Sequence, residues 1–257
     1  MRVLKLSKDQ IKRYGRNILL KGIGEKGQTR LLYSKVLVIG TGGLGSSAAY
    51  YLAAAGVGTL GLADGDKVDL SNLQRQILHF TRDIGKNKTL SAARKLKALN
   101  PDVKCVTHPV RLTPGRIPDV IGEYDFVLDC TDNFDSKFLI NDACVLIGKP
   151  FTHCGVSEFR GQIMTYVKGS VCYRCVFGEC PDDGEVAPTS VVGILGTVPG
   201  IFGCLQATEA IKFITGVGRL LTNRIFTLNV LDMESRSVEV MRNPECAVCG
   251  MKSGKPV

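Results

Sequence analysis

The 257-residue sequence predicts an α/β protein built on a mostly parallel sheet, and three features predict it. Short apolar runs alternate with helical segments through the first part of the chain, the pattern of strands joined by right-handed helical crossovers. The first run, Val36-Leu37-Val38-Ile39, leads straight into a glycine-rich turn that opens a helix. Later strand-like runs have a single helix among them, which predicts antiparallel strands added to the sheet.

The elements follow in order. Ser7 is the candidate N-cap for a helix from Lys8 to Tyr14, and a second helical segment runs from Gly24 to Tyr33 after a glycine-marked break. Val36–Ile39 is apolar throughout, as in a strand buried on both faces. Ser46–Ala55 reads as a helix of small residues, and Thr59–Ala63 as a second strand ending at Asp64. A helix spans Lys86–Leu99 and stops at Asn100-Pro101. Strands are expected at Val103–Thr107 and Asp125–Leu128, then a helix over about Asp135–Ile147. Gln162–Val167, Arg224–Val230 and Ser237–Met241 read as the added strands, with a helix from about Phe202 to Thr215. The expected organisation is an N-terminal helical segment (1–33) followed by two halves of one domain (34–150 and 151–257).

Composition narrows the class. Apolar residues make up 44% and charged residues 22%, enough for a substantial core. No run of about 18 apolar residues is present, so no membrane span is expected, and Met1–Leu6 lacks the apolar stretch of a signal peptide. The expected location is the cytoplasm. A formal charge of +9 suits an anionic partner, but the basic residues are scattered, which weakens a nucleic-acid reading.

The motif Gly40-x-Gly42-x-x-Gly45 lies between a predicted strand and a predicted helix, the context that gives it meaning. Glycines admit a phosphate close to the backbone, and the helix start offers free N–H donors and a positive dipole end. Asp64, ending the next strand, suits a ribose diol. The motif alone does not separate NAD from ATP. Arg75, Lys88 and Asp132 favour ATP: two cations to stabilise a leaving pyrophosphate, and a carboxylate at the carboxyl edge of the sheet to hold Mg²⁺. Hydride transfer needs no such charge.

Ten cysteines in a chain read as cytoplasmic do not suggest a disulfide framework. Four form two pairs, Cys172-x-x-Cys175 and Cys246-x-x-Cys249, compatible with tetrahedral Zn²⁺; a redox pair or unpaired buried thiols are the alternatives. His79, His108 and His153 fall in no nucleophile–base pattern and read as structural.

Together these residues resemble the ubiquitin-activating-enzyme-like family, specifically its MoeB/ThiF/HesA branch. The resemblance runs through Arg13-Tyr14-Gly15-Arg16, Gly40-Thr41-Gly42-Gly43-Leu44-Gly45, Leu70-Ser71-Asn72-Leu73-Gln74-Arg75-Gln76 and Leu128-Asp129-Cys130-Thr131-Asp132-Asn133. It continues in Cys172-Tyr173-Arg174-Cys175, Leu205–Lys212 and Cys246-Ala247-Val248-Cys249. It implies a Rossmann-like domain with a structural zinc site made by the four paired cysteines. It also implies an ATP-dependent adenylyltransferase acting on the C-terminal Gly-Gly carboxylate of a small ubiquitin-like sulfur carrier. Gly40, Gly42 and Gly43 would face the phosphates and Asp64 the ribose, with Asp66 behind it. Ser71, Asn72, Leu73, Gln74, Arg75, Gln76 and Lys88 would line the nucleotide site, and Asp132 would hold Mg²⁺, with Asn133 beside it. Arg16 would enter the neighbouring subunit's site in a homodimer, which makes 1–33 the dimerisation segment, 34–150 the nucleotide-binding half and 151–257 the carrier- and zinc-binding half of the same domain.

The chain departs from this pattern at Thr189, followed by Ser190, where many relatives carry a cysteine that bonds covalently to the carrier. Adenylation alone is therefore expected. No rhodanese-like second domain follows in the sequence, so sulfur would come from a separate donor. Cys180, in the Pro-, Asp- and Gly-rich stretch 179–188, is the substitute candidate, but acidic neighbours Asp182, Asp183 and Glu185 disfavour its thiolate. The alternative enzyme is an ATP-dependent tRNA threonylcarbamoyladenosine dehydratase, which fits the positive charge but generally lacks the paired cysteines. A peptide-modifying adenylase, a non-catalytic partner subunit and an NAD-dependent oxidoreductase are weaker readings.

Overall fold

The computed structural model describes residues 5–182, 185, 187 and 189–250. The expectations placed on Met1–Leu4, Asp183 and Pro188 lie outside the described residues. Two helices come first, α1 (Lys8–Ile18) and α2 (Gly24–Tyr33). Ser7 caps α1 through a full capping box with Gln10. Tyr14 ties α1 to the rest of the chain: its hydroxyl accepts from Asn100 Nδ2 at 2.9 Å, and Asn100 also donates to Ala53 O at 2.7 Å.

The sheet is then built by β1 (Lys35–Ile39), α3 (Gly43–Ala55), β2 (Thr59–Ala63), α4 (Lys88–Leu99), β3 (Lys104–His108), α5 (Ile117–Gly122), β4 (Phe126–Asp129) and α6 (Phe134–Leu146). It continues with β5 (Phe151–Ser157), β6 (Arg160–Tyr166), α7 (Tyr173–Phe177), α8 (Thr189–Val192), α9 (Thr197–Thr215), β7 (Arg224–Asn229) and β8 (Glu234–Glu239). The strand order is β3-β2-β1-β4-β5-β6-β7-β8. The first five strands are parallel, and β6, β7 and β8 add antiparallel. The expected fold class is borne out. The order reverses between β1 and β4, so the crevice at their carboxyl ends is the natural ligand site of such a sheet.

Both faces are covered. On one, Val36, Val38, Leu60, Leu62, Phe126 and Leu128 pack beneath α3, α4 and α9. On the other, Leu37, Ile39, Val127 and Phe151 meet α5 and α6 through Ile117, Ile121 and Ile140. This two-sided burial explains why the central strands read as continuous apolar runs. Small residues let α3 and α9 approach closely: a Cβ at Gly203 would collide with Leu44 O and the Ser47 hydroxyl.

Several elements depart from expectation. Helix α3 begins at Gly43, because the glycines themselves form its first turn. Helix α9 begins at Thr197, with Pro199 in the first turn, where its missing N–H costs nothing. β5 and α5 have no counterpart in the sequence reading. β8 sits earlier than Ser237–Met241 because its pairing with β7 sets it: Phe226 opposes Ser237 and Asn229 opposes Glu234. Every residue of β8 is exposed, so no apolar face marks it.

Candidate active site

A cleft of about 1100 Å³ opens along the carboxyl edge of the sheet. The turn after β1 forms one wall. Gly40 has φ +92°, and a Cβ there would lie 2.6 Å from Cys130 O, so only glycine fits. Gly42 is the N-cap of α3 and supplies no side chain to it. The helix start is thereby left without a side-chain cap, beside the cleft. A Cβ at Gly43 would lie 3.0 Å from Pro199, and Pro199 also lines the cleft.

Asp64 is held at the end of β2. Its Oδ2 accepts from the Thr41 N–H at 2.8 Å and the Thr41 hydroxyl at 3.0 Å, and its Oδ1 accepts from the Asp66 N–H at 2.9 Å. A carboxylate has about four acceptor positions, so capacity for a hydroxyl donor remains. Lys88 begins α4 as a buried cation, and its Nζ meets the exposed Asp66 carboxylate at 2.9 Å. Arg75 donates from Nη1 to Ser71 O at 3.1 Å. Arg75, Gln76 and Lys88 all line the cleft. Gln76 is buried, and its Oε1 has no hydrogen-bond partner.

Other candidates have local jobs. Ser71 Oγ donates to Asp69 Oδ1 at 2.6 Å, and Asn72 Oδ1 accepts from the Asp69 N–H at 3.2 Å, so both shape the turn ahead of Arg75. Gln74 packs against Gly196, where its Oε1 would lie 2.8 Å from an added Cβ. Ser71, Asn72, Leu73 and Gln74 lie outside the cleft lining, whereas Asp132 and Asn133 lie within it. Asp132 is exposed on the loop after β4. Asn133 caps α6, its Oδ1 accepting from the Ser136 N–H at 2.9 Å. Arg16 is exposed on α1 and does not line this chain's own cleft.

Two buried clusters are not singled out by the sequence. His79 Nε2 lies 2.9 Å from Thr41 O, and its Nδ1 lies 3.0 Å from Ser91 Oγ. A carbonyl only accepts, so Nε2 carries the proton. Burial lowers the pKa of this imidazole, and as a neutral strut it joins the glycine turn to α4. The second cluster is Asp129, Lys137 and His153. Lys137 Nζ donates to Thr131 O and Cys154 O at 2.7 Å each and stands 3.4 Å from Asp129 Oδ2. His153 Nδ1 lies 2.9 Å from the same carboxylate oxygen. Burial works to raise the Asp129 pKa, but the Lys137 charge and the hydrogen bond from His153 outweigh it and hold the pKa at about 2. Burial and the Lys137 charge push His153 down to about 4 despite Asp129. The sequence reads all three histidines as structural, and these two are buried. The sequence signal for the second cluster is weak: an aspartate ending one apolar run and a histidine on the next strand, with nothing local to pair them.

The four paired cysteines converge. Cys172 and Cys175 open α7, and Cys246 and Cys249 lie in the turns after β8. Their sulfurs all lie within 4.8 Å of one another, with separations of 3.8 Å (Cys172–Cys175), 3.6 Å (Cys172–Cys246) and 3.3 Å (Cys175–Cys249). A tetrahedron with ~2.3 Å metal–sulfur bonds has edges of ~3.8 Å, so the donor set fits such an ion. Cys130, Cys144 and Cys154 are buried, and burial raises each thiol pKa. Cys180 is exposed on the cleft, its Sγ 3.6 Å from Asp135 Oδ1. Thr189 also lines the cleft, at the start of α8.

A glycine cradle, two cations and a carboxylate on one open α/β sheet define a nucleotide-binding protein of the activating-enzyme kind. The chain belongs to the ThiF family, matched over residues 14–248. It is 42% identical to the SAMP-activating enzyme E1 of Haloferax volcanii, covering 96% of this chain and 92% of that one. It is 40% identical to the sulfur carrier protein adenylyltransferase of Thermus thermophilus, over 96% and 93% of the two chains. It is 44% identical to the adenylyltransferase and sulfurtransferase MOCS3 of Sus scrofa, covering 95% of this chain but 54% of that longer protein. Among solved structures, E. coli MccB with ATP superposes with a TM-score of 0.82 at 27% identity, over 93% of this chain and 74% of that one. Among the described residues, no helix is long and apolar enough to cross a membrane.

Proposed function

We propose that this chain adenylates the C-terminal Gly-Gly carboxylate of a small ubiquitin-like sulfur carrier, consuming ATP and releasing pyrophosphate. The observation that carries the reading is the convergence of the glycine turn, Asp64, Arg75, Lys88 and Asp132 on one cleft, in a chain similar over 96% of its length to a sulfur carrier protein adenylyltransferase.

The residues divide the work. Gly40, Gly42 and Gly43 let phosphate approach the uncapped start of α3, and Asp64 accepts from the ribose. Arg75 and Lys88 stabilise charge on the departing pyrophosphate. Asp66 partners Lys88 and is the group that phosphate displaces or shares. Gln76 has a buried acceptor to offer. Asp132, with Asn133 beside it, would hold Mg²⁺, which neutralises phosphate oxygens when bound. The attacking carboxylate is already ionised at neutral pH, so no general base is required. Positioning and fixed charge supply the rate.

The remaining assignments extend this reading. Cys172, Cys175, Cys246 and Cys249 would hold a structural Zn²⁺. The protein acts as a homodimer through its N-terminal helices, and Arg16 reaches the partner's cleft. With Thr189 in place of a thiol, activation stops at the acyl-adenylate, and a separate donor supplies sulfur. The enzyme works in the cytoplasm. The tRNA-directed alternative draws no support from the relatives, which are named for adenylyl transfer and E1 activity.

The test is ATP–pyrophosphate exchange against a panel of carriers ending in Gly-Gly. Exchange should depend on the carrier, and Arg75→Ala and Lys88→Ala should each lower it by about 100-fold or more without unfolding the protein. Failure of every carrier to elicit exchange or AMP rejects the proposal.

A further inference from the structure

The pair formed by Asp129 and His153 has one unused polar atom. His153 is 1% exposed and belongs to the cleft wall, yet its Nε2 has no hydrogen-bond partner. The register pairs His153 with Asp129 across β4 and β5, which puts both side chains on the same face at the carboxyl edge. Asp129 is ionised, so the ring nitrogen facing it, Nδ1, carries the proton. The imidazole is neutral at physiological pH. Its Nε2 is therefore a lone pair that only accepts.

Leaving such an acceptor unmet in the interior is costly. Its orientation is nonetheless fixed, with Tyr173 and Phe177 packed on the ring at centroid distances of 4.2 and 6.1 Å. Gly155, two residues along β5 on the same face, also lines the cleft, and a Cβ there would lie 3.5 Å from Gln162 Nε2, 3.6 Å from Gln162 Cγ and 3.7 Å from His153 Nε2. With no side chain at Gly155, the approach to the lone pair is covered by the Gln162 side chain, which must turn aside for a ligand's backbone to reach it.

The chemistry of the two substrates selects the donor. Phosphates have no proton to give. The ribose hydroxyls belong with Asp64, on β2, and the adenine amine is attached on the far side of the ribose from the phosphates; the order β2-β1-β4-β5 separates β2 from His153's strand by three steps, or ~14 Å at ~4.8 Å per strand. Away from the nucleotide, the cleft continues over β6 and β7 past Arg160, Gln162, Thr227 and Asn229. An extended polypeptide lying along that stretch reaches His153 just before Asp132, and its backbone carries N–H donors. Resting on the adenylation reading, we infer that His153 binds the carrier tail directly, its Nε2 accepting a hydrogen bond from a backbone N–H of the terminal Gly-Gly. Asp129 sets the tautomer that makes this possible, and Gly155, with Gln162 turned aside, gives the tail its path.

The experiment uses the full chain, a Gly-Gly carrier that supports exchange with the wild type, and a non-hydrolysable ATP analogue bound without carrier. His153→Phe keeps the aromatic packing and removes the acceptor. It should raise the carrier KM about fivefold, leaving kcat and the carrier-free affinity for the analogue within about twofold. His153→Gln can donate to Asp129 and accept from the tail through one amide, and it should restore the KM. Gly155→Ala, whose methyl meets only ordinary contacts, should raise the KM as His153→Phe does, and it decides the matter if the phenylalanine variant does not fold. An unchanged KM in the folded variants overturns the inference. So does failure of glutamine to restore it, or weakened analogue binding in parallel with the KM. Absence of exchange in the wild type rejects the adenylation reading itself, a separate and recognisable result.

Discussion

Replacing Lys137 by Met tests the electrostatic logic of the site most sharply. The ammonium stands 3.4 Å from the fully buried Asp129 carboxylate. At an effective dielectric of about 20, that separation corresponds to a gross attraction of about 5 kcal/mol. The same ammonium satisfies Thr131 O and Cys154 O. Removing one member of such a pair leaves an uncompensated buried charge, so Lys137→Met should cost ~3–5 kcal/mol at about pH 7.5. The penalty should shrink on acidification. In the wild type, His153 is depressed from 6.5 to about 4. Its neutral form therefore contributes stability that is complete above 6.5 and lost as pH falls toward 4. Asp129, depressed from 3.8 to about 2, adds a loss at still lower pH. Without Lys137, a major cause of the His153 depression is gone, and the imidazole can take up a proton and pair with Asp129. The variant should thus lose less stability than the wild type between about pH 7.5 and pH 5. Denaturant titrations at the two pH values measure this. An equal destabilisation at both would refute the account. Because Lys137 also fixes the loop leading to Asp132 through Thr131 O, carrier-dependent exchange should fall along with stability.

Two other outcomes are expected. Carefully prepared protein should contain one zinc per chain, and Cys246→Ser should lower the melting temperature by ~5 °C or more; metal analysis showing no zinc would remove that assignment. Gly43→Val should weaken nucleotide binding at least tenfold, on the order of 1.4 kcal/mol, because a branched side chain must enter a space already 3.0 Å from Pro199 at its Cβ. Calorimetric titration with an ATP analogue reads this directly, and wild-type affinity would contradict the role given to the cradle.

Legibility in the sequence follows the locality of the forces. The N-cap at Ser7 is readable because its partner, Gln10, is three residues away. β1, β2 and β4 are readable because burial on both faces leaves their central residues apolar. β5 is not, because Thr152 and His153 are buried polar groups whose partners, Thr165 and Asp129, lie far away in the chain. β8 is displaced because its position is set by pairing with β7 rather than by any pattern of its own. The candidate site divides the same way. The glycine turn, Asp64, Arg75, Lys88 and Asp132 stand out as residue types in a motif. Nothing in their spacing reveals that His79 braces the turn, that Gln76 is left with a buried acceptor, or that Lys137 sits beneath the Asp132 loop. Ser71, Asn72 and Gln74 belong to the motif, but their contacts serve the shape of the loop rather than the cleft.

The cysteine cluster brings the approach to α7 directly against the turns that follow β8, bypassing α8, α9, β7 and β8. When a metal bridges the four thiolates, a pull on the two chain ends runs from Cys172 and Cys175 across the ion to Cys246 and Cys249. The intervening segment carries none of that tension until the coordination bonds rupture. The stretch from Thr189 through the β7–β8 hairpin is thus mechanically shielded, and under force it would extend only in a second, later event.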